Sequence, residues 1–316
     1  MRIDLAAALY GSAVAARNGL YDRGWLPERR LQGPVISIGN LSAGGSGKTP
    51  FVILLGTVLR GRGIPFDVLS RGYGRKTRGV LEVDAAGSPG EFGDEPLLMA
   101  RRLKVPVVVG EDRHAAGRLA ETRFGPQMHL LDDGFQHRGL ARDFDIVLVT
   151  PEDARDRLLP GGRLREELGA LRRADAVVLS GGAAAESFNV AGKHVWRVRR
   201  GIVTKNIPPR PVVFCGIARP RNFLAQLRNA GIETAAEAFF RDHHAYTEKD
   251  VRELLELRRR AGAGGFVTTE KDAVNLSGFL DGLAPLAIIP VTMELSDADN
   301  AVDTMLLAIE KRRRRT

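Results

Sequence analysis

The chain has one cysteine, Cys215, in 316 residues. No disulfide can form within it, which fits a reducing compartment. Cys215 follows Val212, Val213 and Phe214, an apolar setting that suits a buried, inert thiol. No run of about 18 apolar residues occurs, so no transmembrane helix is predicted. Aromatic residues make up only 6% of the chain, and the basic residues are scattered. With no recognised binding module, a nucleic-acid partner is not expected. Nor does the sequence repeat itself, which excludes a solenoid.

Hydrophobic residues make up 44% of the chain, ample for a buried core, and charged residues 27%. Lys plus Arg number 47 against 38 Asp plus Glu, a net charge of +9. That balance suits acidic partners such as nucleotides or anionic lipids. The densest basic run, residues 311–315, is a tail of the kind that is either solvated or drawn to anionic headgroups. Residues 5–16 are apolar and Ala-rich. Asp4 and the break at Tyr10-Gly11-Ser12 argue against a signal peptide. The expectation is an amphipathic helix over residues 3–18, packed on the domain or lying at a membrane interface.

Residues 34–180 alternate apolar runs with helical patterns. Runs at 35–38, 66–69, 80–83, 105–109, 128–131, 146–149 and 176–179 read as strands. Helical patterns fall at 50–60, 95–103, 113–124 and 164–173. Such alternation predicts an α/β fold, a mainly parallel sheet with helices on both faces. Pro208-Pro209-Arg210-Pro211 marks a boundary. After it come a strand at 212–215, a helix near 221–230, a helix at 248–260 capped by Thr247 and Asp250, and a strand at 266–268. Thr269 with Asp272 reads as another helix start. The alternating stretch 195–203 and the run 286–293 read as strands that form a β hinge if they pair. The expected division is an N-terminal P-loop domain at 1–192, a hinge at 193–206, a smaller α/β domain at 207–285, and a return strand, helix and basic tail at 286–316.

The strongest signal is Ser42-Ala43-Gly44-Gly45-Ser46-Gly47-Lys48-Thr49, after a predicted strand and opening a predicted helix. Its glycines let backbone N–H groups turn toward phosphate oxygens, and the helix N-terminus adds positive potential. Lys48 can reach the β- and γ-phosphates of ATP, and the Thr49 hydroxyl can bind Mg²⁺. Pro50 is tolerated in the first turn. Ser42 stands where the usual pattern has Gly. The run 128–134 ends in Asp132-Asp133-Gly134 and puts Asp132 at a strand end, near enough to help hold the metal. Kinases, switches and motors share these parts. A GTPase needs a guanine-reading Asn/Thr-Lys-x-Asp run; Thr269-Glu270-Lys271-Asp272 has Lys directly before Asp, the wrong spacing. A GTPase or other nucleotide-dependent switch is the alternative reading.

The segment 38–50 resembles the nucleotide loop of the tetraacyldisaccharide 4′-kinases. Leu69-Ser70-Arg71-Gly72-Tyr73-Gly74-Arg75, Gly93-Asp94-Glu95-Pro96 and Leu131-Asp132-Asp133-Gly134-Phe135-Gln136-His137 are similar to that family too. So are the segments 159–166, 242–247 and 269–273, all in the family's order over residues 10–295. The family's own loop has a form like the Ser42 one. The resemblance implies transfer of the ATP γ-phosphoryl group to the 4′-hydroxyl of tetraacyldisaccharide 1-phosphate in lipid A biosynthesis. It implies two α/β domains joined by a hinge, peripheral attachment to the cytoplasmic face of the bacterial inner membrane, and a membrane role for residues 3–18. No obligate protein partner is implied.

Within that resemblance Asp94 is the expected acceptor of the sugar hydroxyl's proton, and His243 its partner from the other domain. As a carboxylate with an unperturbed pKa of about 3.9, Asp94 would act late, once the proton has become acidic. Asp242-His243-His244 is not a zinc site, because adjacent histidines rarely serve one metal. Glu95, Asp133, His137 and Glu166 resemble family positions around the metal and nucleotide; Glu95, Asp133 and Glu166 join Thr49 and Asp132 as expected metal ligands. Arg71, Arg75, Arg113 and Arg165 are candidates to hold phosphate of ATP or of the lipid.

Overall fold

In the computed structural model, which describes residues 2–315 apart from the side chains of residues 2–4, the chain opens with helix α1 (Arg2–Asp22). The sequence argument from Asp4 therefore lies outside the described side chains. After α1 come β1 (Val35–Asn40), α2 (Lys48–Gly61), β2 (Phe66–Ser70), β3 (Leu81–Glu82), the one-turn α3 (Pro89–Phe92), α4 (Asp94–Leu103) and β4 (Val107–Val109). Then follow α5 (Arg113–Phe124), β5 (Met128–Asp132), β6 (Phe144–Val149), β7 (Ala176–Leu179) and β8 (His194–Ile202). The second half holds β9 (Val212–Cys215), α6 (Pro220–Asn229), β10 (Ala236–Phe239), α7 (Glu248–Ala261), β11 (Phe266–Thr269) and α8 (Glu270–Leu276). It ends with β12 (Leu286–Ile289), β13 (Val291–Leu295) and α9 (Ala298–Arg313).

A nine-stranded sheet runs β13-β8-β7-β6-β1-β5-β2-β4-β3, parallel except for its edge strands β13 and β3. Successive side chains of a strand face opposite sides. Ile36 and Ile38 of β1 join Phe144, Ile146 and Leu148 of β6 in a core under α2, α4 and α9. On the other face Val35, Leu69 and Leu131 meet Ala116 and Ala120 of α5. Both faces are covered, so β1, β5 and β6 are buried at every position and read as continuous apolar runs. A smaller all-parallel sheet, β10-β9-β11-β12, lies between α7 on one side and α6 on the other. This is the P-loop α/β architecture with an added α/β unit that the pattern predicts.

Three stretches differ from the sequence reading. Residues 286–293 are two strands: β12 belongs to the small sheet, while β13 pairs antiparallel with β8 in the large one. Pro290 separates them, since it has no N–H for a ladder. Residues 164–173 do not make one helix; a 3₁₀ turn begins only at Leu168. Before it, Arg165 N–H donates to the Leu41 carbonyl at 2.6 Å, and Ala43 N–H to the Arg163 carbonyl at 2.7 Å. The segment is thereby held extended as a prop beneath the Gly-rich loop. β10 was not read at all; its alternating Ala and charged or aromatic residues are only half covered, as suits an edge strand.

Helix α1 spans more than the expected 3–18. Tyr10, Val14, Asn18 and Tyr21 recur at helical spacing and turn toward the domain. Leu5 and Leu9 lie on the other side, 64% and 65% exposed. The helix is therefore apolar on its outward face as well as its packed one. The basic tail is partly tied down: Arg312 pairs with Asp175 at 2.7 Å and Arg313 with Asp143 at 3.1 Å.

Candidate active site

Because the central strands are parallel, their C-terminal ends share one edge of the sheet. Residues after β1, β2, β5, β6 and β7 open there into a cleft of about 1020 Å³. Its opposite wall comes from the small unit: Ile217–Arg219, Asn222, Phe223, Asp242, His243 and Lys271.

Residues 43–49 line this cleft. Gly47 caps α2 with φ at 92°, in the left-handed region that a residue with Cβ rarely adopts. The Lys48 ammonium donates to Asn40 Oδ1 at 3.1 Å and lies 3.5 Å from Asp133. Thr49 is buried at the helix start. Ser42 is the exception among the expected nucleotide-binding residues. It is fully buried, bridged to Leu164, and does not border the cleft, because the prop segment pairs with it.

Asp132 and Asp133 differ sharply. Asp132 is buried; its Oδ2 accepts from Ser70 Oγ at 3.0 Å, while Oδ1 is buried without a partner. Burial, then the negative charges of Glu95 and Asp133, push its pKa upward. Asp133 has φ at 50° and receives two hydrogen bonds from Arg165, at 2.8 and 3.0 Å. Burial opposes its ionisation, but Lys48 and Arg165 outweigh this and hold its carboxyl well below the usual range. An orphaned carboxylate oxygen next to a repelling carboxylate fits a cation. Among the described residues no three His, Cys, Asp or Glu side chains converge to enclose one. Mg²⁺ commonly takes one or two carboxylates and completes its shell with phosphates and water.

The other expected ligands separate. Glu95 lines the cleft and faces Lys271 at 3.4 Å. Glu166 does not reach it, which corrects the expectation: its carboxylate accepts from Asn18 at 2.6 Å, Gln136 at 3.1 Å and Arg173 at 2.9 Å. It pins α1 to the domain instead. His137 also lies off the cleft. Of the arginines, Arg71 and Arg165 border the cleft. Arg75 is taken by Glu111 at 2.7 Å, and Arg113 by the carbonyls of Gly110 and Glu111.

Asp94 and His243 meet, 149 positions apart in the chain. Nδ1 of His243 lies 3.0 and 2.9 Å from the two Asp94 oxygens. Asn275 Nδ2 donates to Asp94 Oδ2 at 3.0 Å, and the Glu95 N–H to Oδ1 at 2.8 Å. Asp94 is only 4% exposed and does not border the cleft; His243 does. The imidazole thus stands between the Asp94 carboxylate and the cleft. Burial opposes the Asp94 charge, yet the His243 hydrogen bond and the Lys271 charge overcome this and lower its pKa. For His243, burial and Lys271 oppose the charged ring, but Asp94 prevails and raises its pKa. When the ring is neutral with its proton on Nδ1, Nε2 accepts from Lys271 Nζ, 3.1 Å away. His243 holds φ at 59° and stands 5.0 Å, centroid to centroid, from Tyr73. A left-handed backbone at a non-glycine residue is strain of a kind that clusters at functional sites.

Sequence reasoning missed Lys271, Asn275, Ser70 and Asn40. Lys271 and Asn275 had a signal: they stand four apart after the Thr269 cap, on one helix face.

A Gly-rich loop at a helix N-terminus, acidic residues at the next strand end and a histidine–carboxylate pair across one cleft define a P-loop phosphotransferase. The family model described as tetraacyldisaccharide-1-P 4'-kinase matches residues 3–310. The tetraacyldisaccharide 4'-kinase of Koribacter versatilis is 50% identical over 318 residues, covering 97% of this chain and 98% of its own. That of Geobacter metallireducens is 38% identical over 323 residues, covering 94% and 95%. Among solved structures, LpxK from Aquifex aeolicus, described as an "apo" form in complex with ATP, superposes with a TM-score of 0.80. It is 35% identical and covers 98% of both chains. The chain belongs to the tetraacyldisaccharide-1-P 4'-kinase family.

Proposed function

We propose that this chain transfers the γ-phosphoryl group of ATP to the 4′-hydroxyl of a tetraacyldisaccharide 1-phosphate at the cytoplasmic face of the inner membrane. One observation carries the reading: the loop at residues 43–49 and His243, from different units, border the same cleft. The family membership and the ATP complex of the Aquifex relative support the two substrates.

The amides after Gly47 and the Lys48 ammonium hold the phosphates and offset their charge. Thr49 and Asp132 would hold Mg²⁺, with Glu95 alongside. When bound, the ion neutralises charge on the transferring group. Arg165 locks Asp133, which keeps Lys48 pointed at the loop. The Asp94–His243 pair takes the acceptor's proton. His243 is the member that meets the hydroxyl, and Asp94, held by Asn275, orients the ring and stabilises its charge. Lys271 must swing off Nε2 for that transfer, and bound substrate supplies alternative anions for it. For the membrane, Leu5 and Leu9 are the support. α1 adjoins the cleft, since Tyr10 OH donates to the carbonyl of Arg165 at 3.1 Å, so its outward leucines can rest among acyl chains.

The test is incubation with [γ-³²P]ATP, Mg²⁺ and tetraacyldisaccharide 1-phosphate. Labelled bis-phosphorylated lipid is expected. His243→Ala and Asp94→Asn should each lose about 10²–10⁴-fold in kcat while keeping ATP affinity. Unlabelled lipid with the wild-type enzyme would refute the activity; full turnover by His243→Ala would refute the proton route.

A further inference from the structure

The turn that carries His243 is tied to a buried carboxylate with no part in the scheme above. Asp272, in the first turn of α8, is fully buried and does not border the cleft. Its Oδ1 accepts from the Gly216 N–H at 2.7 Å and from the Tyr246 hydroxyl at 2.9 Å, and its Oδ2 from the Thr269 hydroxyl at 2.5 Å. Gly216, just past β9, accepts in turn at its carbonyl from the His243 N–H at 3.2 Å. Tyr246 packs on Phe240 and His244, the rings that flank His243 in the chain, at 5.0 and 4.9 Å between centroids.

Helix capping alone does not account for this arrangement. The chain uses Thr-x-x-Asp at two helix starts. At α7, Asp250 turns back on Thr247, taking its N–H at 2.8 Å and its hydroxyl at 2.7 Å, and meets His244 Nε2 at 3.1 Å. At α8, Asp272 takes the Thr269 hydroxyl and gives its other oxygen to Gly216 and Tyr246, in the interior of the small unit. Burying a carboxylate is costly, and burial pushes the Asp272 pKa upward in spite of three donors. A cap needs no such burial. The left-handed backbone at His243 persists only where its surroundings over-determine it. Gly216 helps here: a Cβ there would lie 2.7 Å from the Arg241 carbonyl oxygen, so glycine lets the end of β9 approach the turn.

We propose that Asp272 is a positioning residue: through Gly216 and Tyr246 it fixes the turn that presents His243, and through α8 it fixes Lys271 and Asn275, so that the three small-unit side chains around Asp94 keep one geometry. The proposal rests on the kinase reading above and deepens it.

The experiment compares wild type, Asp272→Ala, Asp272→Asn, Gly216→Ala and His243→Ala. Steady-state kinetics with Mg·ATP and tetraacyldisaccharide 1-phosphate gives kcat, and calorimetry gives ATP affinity. NMR titration of the histidine rings gives the His243 pKa, its signal being the one lost in His243→Ala. Asp272→Ala and Gly216→Ala should each lower kcat about 10²-fold, as a 1 Å misplacement brings, and keep ATP affinity within about twofold. In both, the His243 pKa should fall toward its ordinary value of about 6.5, because the ring leaves the carboxylate that raises it. Asp272→Asn can still accept from Gly216 and Tyr246, so it should recover kcat to within a few-fold of wild type. Gly216→Ala displaces the turn with the carboxylate in place, and so carries the test if Asp272→Ala does not fold. Wild-type kcat in the alanine variants overturns the proposal. An unmoved His243 pKa beside a lowered kcat also overturns it, since Asp272 would then serve the fold alone. An asparagine variant as slow as the alanine one overturns it too, because charge rather than hydrogen bonding would then be what counts. The ring titration needs no substrate, which separates the two readings: if wild type leaves the lipid unlabelled while the His243 pKa still falls in the variants, the kinase reading fails and the placement of His243 by Asp272 stands.

Discussion

At His137 burial and charge act in the same direction. Burial, then the positive fields of Arg113 and Arg142, pull its pKa down to about 4. The unfolded chain binds a proton there near pH 6.5 and the native state does not. Stability is therefore complete above pH 6.5 and is lost as the pH falls toward 4, by about 1–2 kcal/mol once solvent screening of this partly exposed ring is allowed for. His137→Gln removes the group. Its melting temperature should fall less than that of wild type between pH 6.5 and 4, and parallel curves would contradict this. The same scale shows what spacing can and cannot tell. Lys48, Thr49 and Asp132 were legible because strand–loop–helix order fixes where their side chains go. Glu166 was misread because neighbours on an extended segment face opposite ways: Arg165 enters the cleft, so Glu166 turns to Asn18. The meeting of Asp94 with His243 was implied by the family resemblance alone, since no local period relates a helix start in one unit to a turn in the other.

At the scale of elements, the start of α4 shows how backbone geometry sets a side chain. Gly93 has φ at 89°, and a Cβ there would lie 2.8 Å from the Tyr73 carbonyl oxygen. Gly93→Ala must therefore shift the head of α4, and with it Asp94. The expected outcome is a fall in kcat of about 10²-fold, as a 1 Å misplacement brings, with ATP affinity unchanged. Equal losses in kcat and ATP affinity would mean that the whole cleft had moved. Helix α1 makes the second case. Its packed face is fixed by Tyr10, Val14 and Asn18, so replacing the outward Leu5 and Leu9 leaves that packing alone. Leu5→Glu with Leu9→Glu should leave the melting temperature within a degree or two and reduce flotation with anionic vesicles several-fold. Undiminished flotation would remove α1 from the membrane contact. The apolar period made the helix readable; its two apolar faces did not stand out, because alanine fills the positions between them. The loss of a helix at 164–173 was not readable either, since the hydrogen bonds that hold the prop extended come from residues 41–43.

At the scale of the molecule, the small unit does more than cover the cleft. Both side chains that hold Asp94, His243 and Asn275, come from it, so the dyad exists only while the two units touch. α8 lies against α4, and Glu270 takes both of its hydrogen bonds from one Arg102 nitrogen, at 2.6 and 2.8 Å. Lys271 adds a contact across the units to Glu95, at 3.4 Å. The phosphate loop needs none of these, being built wholly in the large unit. Closure should therefore govern chemistry more than nucleotide binding. Arg102→Ala and Glu270→Ala should each lower kcat severalfold, and the double variant should fall no further than either single one. Their coupling should come to about 1 kcal/mol, because the pair is only partly buried. Solution scattering should show a larger radius of gyration in all three. Additive losses would mean that the two residues act separately, and a loss confined to ATP affinity would mean that this contact serves the loop and leaves the dyad to other forces. The pH sign follows from the same bond. The Asp94 pKa is lowered and the His243 pKa raised, so the bridge holds between those two values, weakening in acid as Asp94 protonates and in alkali as His243 loses its charge. Scattering curves should therefore be most compact between those two values and expand on the acid and alkaline sides of that window, a profile that an interface held by arginine–glutamate pairs alone would not show on the alkaline side.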